Sequence, residues 1–562
     1  MRTKKGLLSL LVVTLLALSL LAACPSRTTE EASPLSQTLS EEGIEYGGRL
    51  VVGFMAPKET MQLTDVGYTS WSCLTTQLLY DPLAHYPLPP DYYEFHPRLV
   101  QSYEVSEDGL TWTLHIIENA KWHDGEPVTS EDIKFTCEYL FTCPGWEPEE
   151  KANFDRIEII DDSTLNFVFT KPTEGWYVPG WWLWNPVIPK HIFEPYKDDV
   201  TQYPNEEGIG CGPFKLREFK SGEYSWFVAN DDYWGGRPYL DEVVFKYYGS
   251  LDTMLMALRS GEIDVCDSAL VPPTNMEDLE TALNVEIEVG PGNHRYSLSC
   301  NLHKEGPLQD KNVRHAIQYG IDRDRIIEMV YLGYAEKFDS WSWEGSPDHS
   351  PNLPQYEYNP DKANEILDEA GYVDTDGNGI RNDQATAQDL VFELVAPAEE
   401  INLTKTCTLI AEMLLDIGVS IDFQTVDYDT FYATVYSPAD DAYEIAITDT
   451  GGGPPPIGDW IWIEAMGWGS GGDWWNPSYY DNPRYNELAS LLSEAPDMAT
   501  RLEHVYEMQE IMSEDLPYIY LVKPKCISPY RTDKFEGWTN SAGGMVSDMN
   551  PWSILNLHLK AQ

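Results

Sequence analysis

Aromatic side chains are concentrated between residues 460 and 480, in a number and spacing that suit the binding of flat or cationic groups. The aromatic residues of this stretch are Trp460, Trp462, Trp468, Trp474, Trp475, Tyr479 and Tyr480. Aromatic faces stack on sugar rings, pack against apolar peptide side chains and hold cations. Filling a hydrophobic core is the other common use of such residues. We therefore expect two or three members of this group to contact a ligand.

A second group of residues has the spacing of a calcium-binding loop. Asp374, Asp376 and Asn378 occupy positions one, three and five, and Gly379 occupies position six. Position twelve is Ala385 rather than the bidentate glutamate of a complete loop. These residues predict a weak metal site, a candidate for structural calcium, and we expect no other cofactor.

Motifs for catalysis are absent from the sequence. It contains no His-Glu-x-x-His motif and no Gly-x-Ser-x-Gly motif. The letters Gly-x-Gly-x-x-Gly at 467–472 precede Asp473 rather than a helix, so they do not predict a nucleotide site. Among 92 Asp and Glu residues, carboxylate pairs suited to glycoside hydrolysis arise by chance. We predict that the protein is not an enzyme, and a surface hydrolase is the alternative from another class.

The N-terminal segment predicts export. Basic residues at 1–5 precede an apolar run at 6–23 that ends in Leu-Ala-Ala before Cys24, an arrangement typical of a signal peptide with a lipidation site. An ordinary signal peptide with an incidental cysteine is the alternative. Residues 25–42 are rich in Ser, Thr and Glu and predict a flexible tether. No later stretch is long and apolar enough to span a bilayer, so we expect lipid on Cys24 to anchor the protein outside the cytoplasm.

The chain is strongly acidic. Its formal net charge is −55, and removal of residues 1–23, with Arg2, Lys4 and Lys5, gives −55 − 3 = −58. Such a charge repels nucleic acid and anionic membrane surfaces, so we expect no nucleic-acid partner. The charge could favour cationic ligands, whereas solubility or adaptation to salt explains it without a ligand.

Eight cysteines remain besides Cys24. They are Cys73, Cys137, Cys143, Cys211, Cys266, Cys300, Cys407 and Cys526. Spacing alone does not pair eight cysteines, although Cys137 and Cys143 are close enough to form one candidate disulfide. No Cys-x-x-Cys pair suggests a zinc site.

Hydrophobic periodicity along the chain changes repeatedly between the strand and helix patterns, which predicts an α/β fold. The predicted strands lie at 49–54, 110–116, 157–160, 165–169, 390–396, 419–423, 443–448 and 518–522. The predicted helices include 254–261, 360–370 (capped by Asn359 and followed by Gly371), 407–417, 484–495 and 498–516, and another helix follows a near capping box at Thr129 and Asp132. The strand–helix–strand order between 390 and 423 predicts a parallel pair of strands.

Two blocks of the sequence carry a long family pattern. The first block comprises Pro97, Leu99, Ser102, Tyr103, Ser106, Asp108, Gly109, Trp112, Trp122, His123, Asp124, Gly125, Pro127, Thr129, Asp132 and Phe135. The second comprises Gly210, Gly212, Pro213, Phe214, Gly222, Asn230, Tyr233, Trp234, Gly236, Pro238, Leu240 and Asp241. With these residues the chain resembles family 5 extracytoplasmic solute-binding proteins, the oligopeptide, dipeptide and nickel group of ABC importers.

The resemblance implies a two-lobe, periplasmic-binding-protein-like α/β fold of class II, with an extra subdomain and a hinge that closes on ligand. The implied divisions are a signal peptide at 1–23, a lipidated tether at 24–45, lobe I at 46–80, 191–298 and 517–562, its extra subdomain at 81–190, and lobe II at 299–516. It also implies a monomer that captures di- or oligopeptides and delivers them to ABC permease subunits in the membrane.

One departure from the family leaves the ligand open. Peptide-binding members hold the α-ammonium of the peptide with an aspartate whose position falls here on Gly452 or Gly453, and Asp449 is near but out of step. An oligosaccharide bound by the tryptophans is therefore the alternative ligand. The candidate ligand-binding residues are Tyr68, Trp71, Trp181, Trp182, Asp449, Gly452, Gly453, Trp462, Trp468, Trp474 and Trp475.

Overall fold

The computed structural model describes residues 44–55, 60–61, 70–85, 96–140, 154–172, 186–197, 202–267, 271–292, 294–340, 342, 344, 346–436, 442–449, 476–492, 495, 498–540, 544–546 and 552–560. Within these ranges no helix is both long enough and apolar enough to cross a membrane.

The described residues form two large mixed sheets and a smaller antiparallel one. The seven-stranded sheet has the spatial order Val285–Gly290, Cys526–Arg531, Val265–Cys266, Arg49–Phe54, Glu242–Tyr247, Tyr224–Ala229 and Phe214–Lys220. The six-stranded sheet has the order Ala335–Lys337, Tyr518–Pro524, Tyr296–Cys300, Ile445–Asp449, Val391–Pro397 and Ser420–Val426. The four-stranded sheet has the order Val100–Val105, Thr111–Ile116, Thr164–Phe169 and Phe154–Asp161. Three two-stranded pairs join Ala84–His85 to His96–Pro97, Tyr372–Val373 to Asn382–Asp383, and Phe535–Glu536 to His558–Leu559.

Helices cover the sheets and supply much of the apolar packing. The α-helices of the described chain are Ser70–Leu79, Ser130–Leu140, Lys190–Phe193, Leu251–Ser260, Met276–Glu280, Lys311–Gly320, Arg323–Met329, Pro360–Ala370, Ile401–Leu415, Tyr428–Val435, Pro483–Leu492, Met498–Asp515 and Trp552–Asn556. Short 3₁₀ turns lie at Glu194–Tyr196, Pro273–Asn275 and Pro307–Gln309. One hydrophobic core lies around the six-stranded sheet, and the seven- and four-stranded sheets share another. This alternation of sheet and helix confirms the predicted α/β class.

Local sequence signals produce the expected elements. Trp112, Leu114 and Ile116 are buried on one face of their strand, as the period-2 alternation predicts. At the start of the helix Ser130–Leu140, the Asp132 carboxylate accepts hydrogen bonds from the backbone N–H and the hydroxyl of Thr129, at 2.9 and 3.0 Å. The predicted parallel pair is also present, since Val391–Pro397 and Ser420–Val426 run parallel on either side of a helix.

The described cysteines are buried thiols. Free and buried side chains are found at Cys137, Cys211, Cys266, Cys300, Cys407 and Cys526. Cys143 lies outside the described residues, and the free state of Cys137 gives the candidate Cys137–Cys143 disulfide no support.

The chain passes between the two large sheets between Gly290 and Tyr296, and again at Lys525. These crossings lie a few residues from the predicted lobe boundaries at 298/299 and 516/517, which stay predictions. The two crossings run close together, because a Cβ atom on Gly292 would lie 1.8 Å from the carbonyl oxygen of Pro524. Only glycine allows this approach without moving the backbone of one crossing.

Replacing Gly292 by alanine is expected to lower the free energy of unfolding by about 1–3 kcal/mol, because the added methyl group overlaps a backbone oxygen. Urea denaturation measures this change. Gly249→Ala is the matched control, since a Cβ atom there meets no atom within 4 Å and should change stability by less than about 0.5 kcal/mol. Equal stability of the two variants would show that the crossings are not in close contact.

Candidate ligand-binding site

Three parallel strands of the six-stranded sheet end at the same edge. Val391–Pro397 pairs with Ser420–Val426 so that Pro397 faces Val426, and it pairs with Ile445–Asp449 on its other side. The crossing that precedes Tyr296 reaches the sheet at this edge, since Tyr296 pairs with Asp449. In α/β sheets with parallel strands, ligands bind in the crevice outside the carboxyl ends of the strands. This edge, beside a crossing to the other large sheet, is therefore the candidate site.

Asp449 connects the strand end to the crossing. One oxygen of its carboxylate lies 2.5 Å from Nδ1 of His294, and the other accepts the backbone N–H of Arg295 at 3.2 Å. The His294 and Asp449 side chains are each about a third exposed, so their contact is open to solvent. The imidazole of His294 also stacks on the ring of Tyr296, with centroids 6.3 Å apart.

A row of tyrosines lies just after the strand Ser420–Val426, at the same edge of the sheet. Tyr428, Tyr432 and Tyr436 follow one another at intervals of four residues along the helix Tyr428–Val435 and its C-terminal end. Their ring centroids are 5.0 and 5.1 Å apart. Tyr428 is 44% exposed and Tyr432 is 36% exposed, so their rings are accessible rather than enclosed in the core.

Burial and neighbouring charges shift the pKa values of two groups at this edge. Burial raises the pKa of Glu400, His294 opposes that shift, and the neighbouring charges of Asp449 and Glu399 add to it. Burial lowers the pKa of Arg295 to about 10, against the attraction of Asp348 and Asp449. The edge thus contains several carboxylates close together and one deeply buried guanidinium.

Of the predicted ligand-binding residues, Asp449 is the one whose side chain the structure describes. Trp71 lies in the helix Ser70–Leu79, with its side chain outside the described residues. The predictions at Tyr68, Trp181, Trp182, Gly452, Gly453, Trp462, Trp468, Trp474 and Trp475, together with lipidation of Cys24, also lie outside the described residues. All of these stay predictions.

Sequence reasoning missed His294, Glu400 and the tyrosines at 428, 432 and 436. A sequence signal was present for Glu400 and Tyr428, because each lies within three residues of the end of one of the two parallel strands. His294 carried no such signal, since it meets Asp449 across 155 residues of sequence.

The predicted calcium loop is present as a compact turn. The two carboxylate oxygens of Asp374 accept the backbone N–H groups of Gly377 and Gly379, at 2.7 and 3.0 Å. Asp376 accepts the N–H of Asn378 at 3.1 Å. Among the residues that the structure describes, no cluster of three or more His, Cys, Asp or Glu side chains could hold a metal ion. Calcium binding by Asp374, Asp376 and Asn378 stays a prediction.

Comparison with known families decides the class of protein. A family model described as bacterial extracellular solute-binding proteins, family 5, middle region, matches residues 94–463. The chain belongs to this family. Its members are binding proteins rather than enzymes by description, and they act outside the cytoplasm.

Curated relatives of this family 5 protein match it over most of its length. The oligopeptide-binding protein AppA of Bacillus subtilis is 25% identical over 543 residues, which cover 93% of this chain and 94% of AppA. The probable D,D-dipeptide-binding periplasmic protein DdpA of Escherichia coli is 25% identical over 84% of this chain and 88% of DdpA.

Solved structures share the fold. Bacillus subtilis AppA in complex with a nonapeptide has a TM-score of 0.74 at 23% identity, over 92% of this chain and all of AppA. The Thermotoga maritima oligopeptide-binding protein has a TM-score of 0.77 at 22% identity, over 93% of this chain and all of that protein. These neighbours confirm the fold predicted for this family 5 protein.

Proposed function

We propose that this family 5 protein captures peptides at the edge beside Asp449 and delivers them to the permease subunits of an ABC importer. The observation that carries the proposal is the match to oligopeptide- and dipeptide-binding relatives over most of the chain. The arrangement of the site supports it, because strand ends next to two crossings are where a ligand can contact both large sheets at once.

An oligosaccharide is the second candidate ligand. The tryptophans between 460 and 475 and the glycines at 452 and 453 motivate this alternative. The Thermotoga maritima relative was also solved with bound mannohexaose, at 22% identity and a TM-score of 0.73. This likeness shows a shared fold, and the names of the curated relatives favour peptides.

A thermal-shift screen of the mature chain against di- to hexapeptides and α- and β-linked oligosaccharides tests the function. A ligand at about 100 times its dissociation constant should stabilise the protein by roughly 2.7 kcal/mol. We expect shifts with peptides. Shifts with sugars alone would replace peptides by oligosaccharides, and turnover of any compound would support the hydrolase alternative.

The same proposal includes a monomer anchored by lipid on Cys24. The apolar run and the small residues before Cys24 support the anchor. The Cys24→Ala variant should leave the membrane fraction, and retention of this variant in that fraction would contradict the anchor. Sedimentation of the mature chain as a dimer would contradict the monomer.

A further inference from the structure

A turn at residues 331–334, beside the second crossing, contacts both large sheets. It leads directly into Ala335–Lys337, the edge strand of the six-stranded sheet. The carbonyl oxygen of Tyr334 accepts the backbone N–H of Lys525 at 2.9 Å. Lys525 joins a strand of the six-stranded sheet to a strand of the seven-stranded sheet. The 331–334 turn is therefore attached to the crossing itself.

The side chain of Tyr334 reaches the core of the other sheet. Its half-buried ring packs against a hydrophobic cluster that contains Met254, Leu258 and Ile527. The other members of this cluster come from the seven-stranded sheet and from the segments attached to it. Because Tyr334 directly precedes a strand of the six-stranded sheet, this packing is a contact between the two halves of the molecule, in addition to the two crossings.

The backbone of the 331–334 turn has an unfavourable residue at its centre. The N–H of Tyr334 donates to the carbonyl oxygen of Tyr331 at 2.8 Å, and the central residues Leu332 and Gly333 have φ values of 51° and 86°. Turns with two positive φ angles favour glycine, asparagine and aspartate rather than leucine. The Leu332 side chain is mostly exposed, so core packing does not hold it there. The contacts of Tyr334 on the next residue but one maintain this conformation.

A carboxylate on the edge strand adds a second contact with the crossing. Glu336 lies 3.1 Å from Nζ of Lys525 and 3.6 Å from Nζ of Lys523, which the strand register places opposite it. Burial alone would raise the pKa of Glu336, but the hydrogen bond with Lys525 and the charges of both lysines lower it. Since this ion pair is partly exposed, we expect it to contribute less than the ring of Tyr334.

We propose that the 331–334 turn limits the rotation of the two large sheets about their crossings, through the ring of Tyr334 and the contact of Glu336 with Lys525. Two-lobed binding proteins open and close by hinge rotation. Rotation at Lys525 moves the Met254 cluster relative to the ring, because the ring and the cluster belong to opposite sides of the crossing. The inference goes beyond the proposed function and does not depend on which ligand is bound.

Pulsed dipolar EPR on the ligand-free mature chain measures this rotation. Nitroxide labels are attached to a ketone-bearing amino acid at Leu283, on the side of the seven-stranded sheet, and at Leu415, on the side of the six-stranded sheet. These side chains are 80% and 52% exposed. We expect the distance distribution of Tyr334→Ala to be about twofold broader than that of the labelled wild type. Equal widths would overturn the inference.

Further variants identify the contacts responsible. Tyr334→Phe keeps the ring and should keep the wild-type width, whereas Glu336→Gln should broaden the distribution less than Tyr334→Ala does. Thermal melting shows whether each variant is folded. If Tyr334→Ala does not fold, Tyr334→Leu takes its place, because leucine keeps an apolar contact and lacks the ring. A wild-type width in Tyr334→Leu would then overturn the inference.

Two matched controls lie on the same segment. Leu332→Asn changes the turn itself but should keep the width, because asparagine adopts positive φ more readily than leucine. Glu328→Gln removes one negative charge, as Glu336→Gln does, from an exposed position on the helix Arg323–Met329 and should also keep it. Broadening by Glu328→Gln equal to that by Glu336→Gln would assign the effect to net charge and exclude the contact with Lys525.

The turn should also affect ligand affinity. A ligand that contacts both large sheets fixes their relative orientation, and the entropic cost is larger when the free protein rotates more widely. In calorimetric titrations with a peptide that the wild type binds, Tyr334→Ala should bind about threefold to tenfold more weakly. Equal affinities would overturn this effect on binding. If the wild type binds no peptide, the proposed function fails, whereas the EPR comparison still decides the role of the turn.

Discussion

Replacing Arg98 by methionine is expected to lower the free energy of unfolding by about 3–5 kcal/mol, because it leaves a buried carboxylate without its counter-charge. Arg98 is 2% exposed and the Asp81 side chain is fully buried. The guanidinium donates to Asp81 through Nε at 3.1 Å and through Nη2. The same carboxylate accepts the indole N–H of Trp234 at 2.7 Å and the hydroxyl of Tyr233 at 3.0 Å.

This network joins three segments that are far apart in sequence. Asp81 follows the helix Ser70–Leu79, Arg98 precedes the strand Val100–Val105, and Trp234 follows the strand Tyr224–Ala229. The network therefore connects the segment just before the first strand of the four-stranded sheet to the seven-stranded sheet. Urea denaturation, followed by tryptophan fluorescence, measures the effect of breaking it.

Two further variants test whether the buried charge pair is the cause. Asp81→Asn alone should destabilise the protein by a similar amount, because it leaves the guanidinium unpaired. The double variant should be less destabilised than the sum of the single variants by about 1–3 kcal/mol, since neither charge then remains alone.

Arg237→Met is the matched control. Arg237 pairs with the exposed Asp231 and Asp241 near the surface and should lose only about 0–1 kcal/mol. Additive single effects would contradict the charge pair as the cause.

Much of the fold follows from local sequence. The strand Thr111–Ile116, the cap at Thr129 and the parallel strands on either side of the helix Ile401–Leu415 all depend on periodicities and on neighbours a few residues apart. These features need no information about distant parts of the chain.

The candidate site depends on contacts that the sequence pattern does not reveal. Asp449 was selected because it lies near the family position for the peptide ammonium, and its partner His294 is on a crossing 155 residues away. The position of Glu400 beside Tyr428 depends on the register of two parallel strands. Periodicity predicts that strands exist and which face is buried, but long-range pairing decides which strand ends meet.

Acid should destabilise the protein through His123, by roughly 3 kcal/mol between pH 6.5 and pH 4. The imidazole is held in its neutral form between two backbone groups. Its Nδ1 accepts the N–H of Gly210 at 3.1 Å, so Nε2 carries the proton and donates to the carbonyl oxygen of Gly212 at 3.1 Å. Burial lowers the pKa of His123 to about 4, and the positive charge of Lys215 adds to this effect.

The direction of the effect follows from proton binding. Above pH 6.5 the imidazole is neutral in the folded and the unfolded chain, and its contribution to stability is complete. Between pH 6.5 and pH 4 the unfolded chain binds a proton that the folded chain does not bind, so stability decreases by up to about 1.4 kcal/mol per pH unit.

Urea denaturation of wild type and of His123→Gln at pH 7 and pH 5 tests this pH dependence. Glutamine can accept and donate in the same place without titrating, so wild type should lose about 2 kcal/mol more than the variant over this interval. An identical pH dependence of wild type and His123→Gln would show that His123 is not the group responsible.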